Sequence, residues 1–377
     1  MRQVVYAIFV SAGVVFPFAG SFLLAQSFPV HDETADNMLV YQRTVGGWPK
    51  HIGNEKIDYS KKLTPAEKAA FMDDASMNDA TIDNNATTKE IRYLAGAYRR
   101  TNNKDYLQAA EKGIRYLLQM QYRNGGWPQF YPDRSLYRGE ITYNDNAMVN
   151  ALNTLYDVAL GVKDLALVDT SLQAPAAAAV SRGIDCILKT QLRVKGRLTA
   201  WCAQYDEHTL KPAKARSYEL PSLSGEESVG IVEFLMRVPH PSPEIQQAVM
   251  GAVEWFKSVR IEGYRFVTVS DPALPDGHDR VIQPSPGSVI WARFYDIDTN
   301  EPFFCGRDGI RKRTVAEIEY ERRVGYAWYG EWPRQLLEKD YPAWHAVNGK
   351  GDSPANPGTA TERSPANHQD KNSSYNE

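Results

Sequence analysis

Two short acidic clusters and a set of loop arginines are the side chains of this sequence best suited to chemistry. Asp83 stands in Thr81-Ile-Asp-Asn-Asn-Ala-Thr87, and Asp145 in Ile141-Thr-Tyr-Asn-Asp-Asn-Ala-Met148. With Asn84 beside the first, they form a hard-oxygen donor set of the kind Ca²⁺ takes. Either cluster alone equally suits a helix N-cap, where Asp and Asn accept from free backbone N–H groups. Recurrence favours the metal, because both clusters follow a Gly-Gly-Trp-Pro loop, Gly46 to Pro49 and Gly125 to Pro128. No EF-hand spacing is present, so a shallow cation site shared with an anionic ligand is expected. The basic set comprises Lys214 and Arg216 in Lys-Ala-Arg-Ser-Tyr-Glu, Arg293, Arg307, and Arg322 and Arg323 before Val-Gly-Tyr326. Arginine grips carboxylates bidentately and stacks on rings, so such loops converging would bind a polyanion with flat faces. Each arginine alone reads as well as a surface ion pair. Trp48, in the first glycine-rich loop, is a candidate platform for a sugar ring.

Amphipathic helices must position these groups. Thr64-Pro-Ala-Glu67 and Thr87-x-x-Glu90 have the form of capping boxes. Apolar stripes follow at helical spacing: Ile91, Leu94 and Tyr98; Leu107, Ala110, Ile114 and Leu117; Met148, Leu152 and Leu155. Further stripes run through Val180, Ile184 and Ile187, through Val229, Val232 and Met236, and through Ile245, Val249 and Phe256. Residues 64–260 therefore read as mostly helical, a loose repeat of helical hairpins about a common axis. Beyond Tyr264 the pattern breaks up at Pro284 to Gly287, and short strands and coil are expected.

With 43 basic against 46 acidic residues in 377, the net charge of −3 gives no basic footprint for nucleic acid. An aromatic content of 11% argues against a disordered chain. Arg2 followed by an apolar run from Val4 to Ala25 reads as a signal peptide over residues 1–25, hence a secreted or periplasmic protein with no membrane association after its removal. Residues 348–377, rich in Ser, Pro and Asn, read as a flexible tail. Between them, 26–347 is expected to be one catalytic region and a monomer. Cys186, Cys202 and Cys305 are too scattered for a zinc site, and one disulfide or three free thiols are both open. There is no Gly-x-Ser-x-Gly elbow, His-Glu-x-x-His, phosphate loop or dinucleotide fingerprint, and the seven histidines stand alone.

Taken together, Gly46 to Lys50, Thr81 to Thr87, Asn124 to Pro132, Ile141 to Met148, Lys214 to Pro221, Trp291 to Asp296, Arg307 to Gly309 and Arg323 to Tyr326 resemble the family 10 polysaccharide lyases, the bacterial pectate lyases. The resemblance spans roughly residues 35–345. It implies a mainly α fold, an (α/α)₃ toroid of helical hairpins with irregular coil and a few short β-strands. It also implies calcium-dependent β-elimination on polygalacturonate. Asp83, Asn84 and Asp145 would then serve the metal, and Arg307 would match the base. Lys214, Arg216, Arg293, Arg322 or Arg323, Tyr326 and Trp48 would contact substrate. Two other classes are open to the same residues: a glycoside hydrolase using Asp83 and Asp145 as its carboxylate pair, and a secreted uronate-binding protein without catalysis.

Overall fold

The computed structural model describes residues 31–349. The proposed signal peptide, and all of the proposed tail beyond Gly349, lie outside the described residues. Among the described residues ten α-helices follow in order: α1 (Glu33–Tyr41), α2 (Pro65–Asp73), α3 (Thr88–Thr101), α4 (Lys104–Met120), α5 (Ala147–Leu160), α6 (Gln173–Thr190), α7 (Glu227–Met236), α8 (Pro243–Ser258), α9 (Tyr320–Val324) and α10 (Tyr341–Asn348). None among the described residues is long and apolar enough to cross a membrane.

The helices pair in sequence order. α3 packs on α4, α5 on α6 and α7 on α8, while α5 touches both α3 and α7, and α6 touches both α4 and α8. This gives two layers, an inner one of α3, α5 and α7 and an outer one of α4, α6 and α8, whose helices carry the more exposed faces, with α1 joining the outer one against α4. The core runs between them through Ile91, Leu94, Ile114, Leu117, Leu152 and Ile187, all fully buried.

One joint recurs three times along the outer layer. The glutamine that caps the C-terminus of α1, α4 and α6 sends its side-chain amide both to its own loop and to the next helix of that layer. Gln42 donates to Gly46 O (2.8 Å) and Ala109 O (2.9 Å), Gln121 to Gly125 O (3.0 Å) and Ala179 O (2.9 Å), and Gln191 to Thr199 O and Ala248 O (both 2.8 Å). A buried tryptophan follows each glutamine and donates its indole N–H back to the preceding helix: Trp48 to Met38 O, Trp127 to Leu117 O and Trp201 to Ile187 O. The loop glycines permit this close approach. Gly46 (φ +102°) and Gly125 (φ +95°) lie so near the Lys112 and Arg182 carbonyls that a Cβ would sit 2.5 Å and 1.9 Å from those oxygens.

The expected capping box at Thr64 forms. The one at Thr87 does not. Thr87 has φ +66° and turns its hydroxyl to Thr81 O and Trp48 N, while Glu90 is buried and accepts from Tyr59 Oη. The region after residue 260 also departs from expectation. Strands Ile261–Ser270 and His278–Ala292 form one long antiparallel hairpin that runs through Pro284 and Pro286. Pro284 is accommodated beside a register shift at Glu262 and Tyr264, where the ladder is already interrupted. The three cysteines are free and buried.

Candidate active site

The tryptophan joints also position the acidic residues. Each tryptophan carbonyl accepts from the backbone N–H that precedes an inner helix: Thr81 N to Trp48 O (3.0 Å), Thr142 N to Trp127 O (3.0 Å) and Ser224 N to Trp201 O (2.7 Å). Two and three residues further on stand Asp83 and Asn84, Asn144 and Asp145, and Glu226 and Glu227. The two aspartates are therefore not equivalent. Asp83 matches Asn144, whereas Asp145 matches Asn84, and both of the latter have φ +50°. Asn and Asp are the residues that tolerate this left-handed turn best after glycine, which explains the Asp/Asn clusters.

The turn holding Asp83 packs on the one holding Asp145, and the latter packs on α7. Arg293 fills the space between. Its fully charged guanidinium, 5% exposed, meets Asp145 Oδ1 (3.3 Å), Asn144 Oδ1 (3.4 Å), Glu226 Oε2 (3.0 Å) and Glu227 Oε1. Lys50, just beyond the first Trp-Pro pair, donates to Asp83 Oδ2, while Asp83 Oδ1 is buried without a partner among the described residues. A narrow polar cleft opens here, lined by Lys50, Asp83, Asn84, Tyr137, Asp145 and Arg216 among others.

Acid outweighs base at this point. Five carboxylates (Asp83, Asp145, Glu219, Glu226, Glu227) face three cations (Lys50, Arg216, Arg293). Burial pushes the Glu226 carboxyl up to about 8, with Glu227 adding repulsion that Arg293 opposes. Burial raises Asp145 as well; Arg293 lowers it, and Glu227 and Asp83 push it further up.

An aromatic step carries the arginines away from the cleft. Tyr326 is buried beneath Arg293, its centroid 4.6 Å from the guanidinium, and donates its hydroxyl to Glu219 Oε1 (2.9 Å). Arg216 pairs bidentately with the same glutamate and lies 4.9 Å from the Tyr218 ring. Arg322 covers Tyr218 at 4.8 Å, and Arg307 approaches it at 6.0 Å. Glu321 accepts from both Arg307 and Arg322.

A model of the pectic acid lyase family matches residues 42–337, which include every residue of this site. The chain belongs to that family. Two solved structures of a family 10 polysaccharide lyase from Cellvibrio cellulosa are 36% identical to it, each with a TM-score of 0.69. One is a substitution mutant in complex with trigalacturonic acid. The matches cover 84% of this chain and 92% and 91% of the relatives. No curated protein matches. The pectic acid lyases and these neighbours make the chain a polysaccharide lyase.

Within that family setting, the structure gathers Asp83, Asn84, Asp145, Arg216 and Arg293 into one place. Arg307 and Arg322 stand on its rim, and Lys214 is exposed beside it. Three expectations are corrected. Tyr326 is buried beneath Arg293 with its hydroxyl on Glu219 Oε1, so it supports the arginines and presents no face to substrate. Trp48 is fully buried with its indole N–H on Met38 O, so it is a pillar of the fold and has no face to offer a sugar. Arg323 turns away, held by Asp279 at 2.7 and 3.0 Å, which leaves Arg322 as the member of that pair on the Tyr218 side. Glu226, Glu227, Glu219 and Lys50 belong to the site although sequence alone gave them no role. The signal for Glu226 and Glu227 was Ser224-Gly-Glu-Glu227, a third helix-opening cluster lacking the asparagines of the other two, whereas Lys50 and Glu219 stood within the Gly46–Lys50 and Lys214–Pro221 segments. Among the described residues, the acidic trio close enough to share an ion is Glu140, Asp206 and Glu207, none of which lines the cleft.

Proposed function

We propose that this lyase cleaves polygalacturonate by calcium-dependent β-elimination in the cleft between Asp83, Asp145 and Arg216. The observation that carries the proposal is that two acidic helix-opening turns meet on one buried arginine while the Asp83 turn, paired with Lys50, packs beside them, so that five carboxylates gather with three cations. The neighbour's complex with trigalacturonic acid supports the substrate class. The donor set fits Ca²⁺: all ligands are oxygens, and Asp83 Oδ1 is buried without a partner among the described residues. Asp83 and Asp145 would hold it, with Asn84 at hand. When bound, it would draw charge from the uronate carboxylate and so acidify the C5 proton.

The chain's own residues supply the rest. Arg293, locked by Glu226 and Glu227, fixes a positive charge at the cleft floor without reorganisation. Arg307 and Arg322 receive carboxylates of neighbouring sugar rings at the rim. The base removes the C5 proton, the C5–H electron pair becomes the C4–C5 double bond, and the C4–O bond breaks with its oxygen taking a proton from water. Arg307 is held charged by Glu321 outside the cleft; Arg216 lines it. The base role is therefore assigned to Arg216. Glu219 keeps Arg216 protonated in the free protein, so its pair must open for the proton to be accepted. The hairpin pairs α3–α4, α5–α6 and α7–α8 support closure as an (α/α)₃ toroid, and the apolar run from Val4 to Ala25 supports export.

The proposal is tested by R216A and R307A on polygalacturonate. R216A should lower kcat by about 10²–10⁴-fold, as expected for loss of a general base, with trigalacturonate binding retained. R307A should raise KM and leave most of kcat. The reverse pattern would return the base to Arg307.

A further inference from the structure

The long hairpin walls a second cavity that shares no lining residue with the cleft. Across the hairpin, Phe266 pairs with Ile282 and Thr268 with Arg280. Strand alternation therefore sets Tyr264, Phe266, Arg280 and Ile282 on one face. Phe266 packs against Tyr329, 5.3 Å between ring centroids. The cavity measures about 640 Å³ and has apolar walls from Ile261, Tyr264, Ile282, Pro302, Val315 and Tyr329. That size and lining are those of a small-molecule site.

Two arginines reach this space, and only one is neutralised. Arg323 is held bidentately by Asp279. Arg280 lies 4.2 Å from the Phe266 ring centroid and donates to the Tyr326 carbonyl at 3.0 Å, with no carboxylate within ion-pair distance among the described residues. The cleft and rim arginines differ: Arg216, Arg293, Arg307 and Arg322 each carry a carboxylate. Burial pushes the Arg280 guanidinium down, and no acidic group acts against it. A half-buried cation among apolar walls is stabilised by an anion that also has an apolar face. Tyr264, 41% exposed, offers such a ligand a ring to stack on.

We infer that this cavity is a second carbohydrate site, which takes one uronate residue with its carboxylate on Arg280 and its pyranose face on Tyr264. The identity of the occupant rests on the polygalacturonate reading above. A polymer with a carboxylate on every ring can engage the cleft and this site together, so the second site raises affinity for long chains without touching the chemistry. Tyr326 links the two, because its carbonyl holds Arg280 while its ring supports Arg293.

Calorimetric titration of the full chain in an R216A background, where ligand is not consumed, tests this with trigalacturonic acid, its methyl ester and inorganic phosphate. The expected result is two acid-binding sites per chain, one of which weakens about tenfold or more on R280M or Y264A. The ester and phosphate should fail to fill that site. With Arg216 intact, Y264A should turn over trigalacturonate normally and raise KM only for the long polymer. A single site, or two sites indifferent to both R280M and Y264A, would overturn the inference. Phosphate binding that needs Arg280 but not Tyr264 would also overturn it, leaving a bare anion site. Failure of the lyase reading would appear separately, as absence of unsaturated product while Arg280-dependent binding persists.

Discussion

Arg216 and Arg307 differ in what surrounds them more than in what pairs with them. Both face a glutamate, but the Arg307 side chain is 61% exposed, whereas Arg216 lies between Tyr218, Tyr326 and the cleft. A neutral guanidine is scarce at neutral pH in either place, so proton abstraction by Arg216 should become faster as pH rises. We expect kcat to climb into the alkaline range, measured as initial rate on polygalacturonate with saturating calcium. A maximum near pH 5 would point instead to a carboxylate base. At this scale the sequence disclosed residue types well: the aspartates and most of the loop arginines do meet. It did not disclose direction. Arg322 and Arg323 are neighbours on a short helix and necessarily point apart, and no periodicity states which of them meets Tyr218. Trp48 misled for a related reason, because a glycine-rich loop looks exposed until its glycines are seen pressed against the next helix.

The element that matters most is the joint of glutamine, tryptophan and helix-opening turn, because it ties the outer layer to the acidic residues. Q191L should remove the two hydrogen bonds by which this amide ties the Thr199 and Ala248 carbonyls together and cost about 1–3 kcal/mol, read as a lower denaturation midpoint with KM unchanged. The third helix-opening turn makes a pH prediction. Glu226 is raised in the folded protein to about 8 from the ordinary 4.5, so between those values the folded state holds a proton that the unfolded chain has released. The stability it contributes is complete below the lower value and is lost as pH rises through the upper one. Without calcium, Tm should fall between about pH 5 and about pH 9, and E226Q should flatten that slope. Glu140, pushed up to about 7, acts in the same sense and will leave a residual slope. Two of the three joints were legible through Gly-Gly-Trp-Pro. The third was hidden because Trp201 sits in Thr-Ala-Trp-Cys, where hydrogen bonds have been kept without the glycines. The long hairpin was hidden by Pro284 and Pro286, which read as breakers because sequence does not reveal where a ladder is already interrupted.

For the whole molecule, near-cancelling charge conceals a segregated one. Arg216, Arg307 and Arg322 gather around Tyr218, and Arg216 and Arg293 around Tyr326, while five carboxylates crowd the floor beside them. A polyanion could thus be bound without a basic surface, and the net charge of −3 needs no further explanation. The family and the helical architecture were both legible in the sequence, since long amphipathic stripes and repeated loops survive without tertiary information. The central claim is calcium-dependent β-elimination at this cleft. It is tested by following the ultraviolet absorbance of the C4–C5 double bond while the full chain acts on polygalacturonate, with calcium and then with excess chelator. We predict that absorbance rises with calcium, stops with chelator and resumes when calcium is restored; new reducing ends without absorbance, or turnover indifferent to the chelator, would contradict the account.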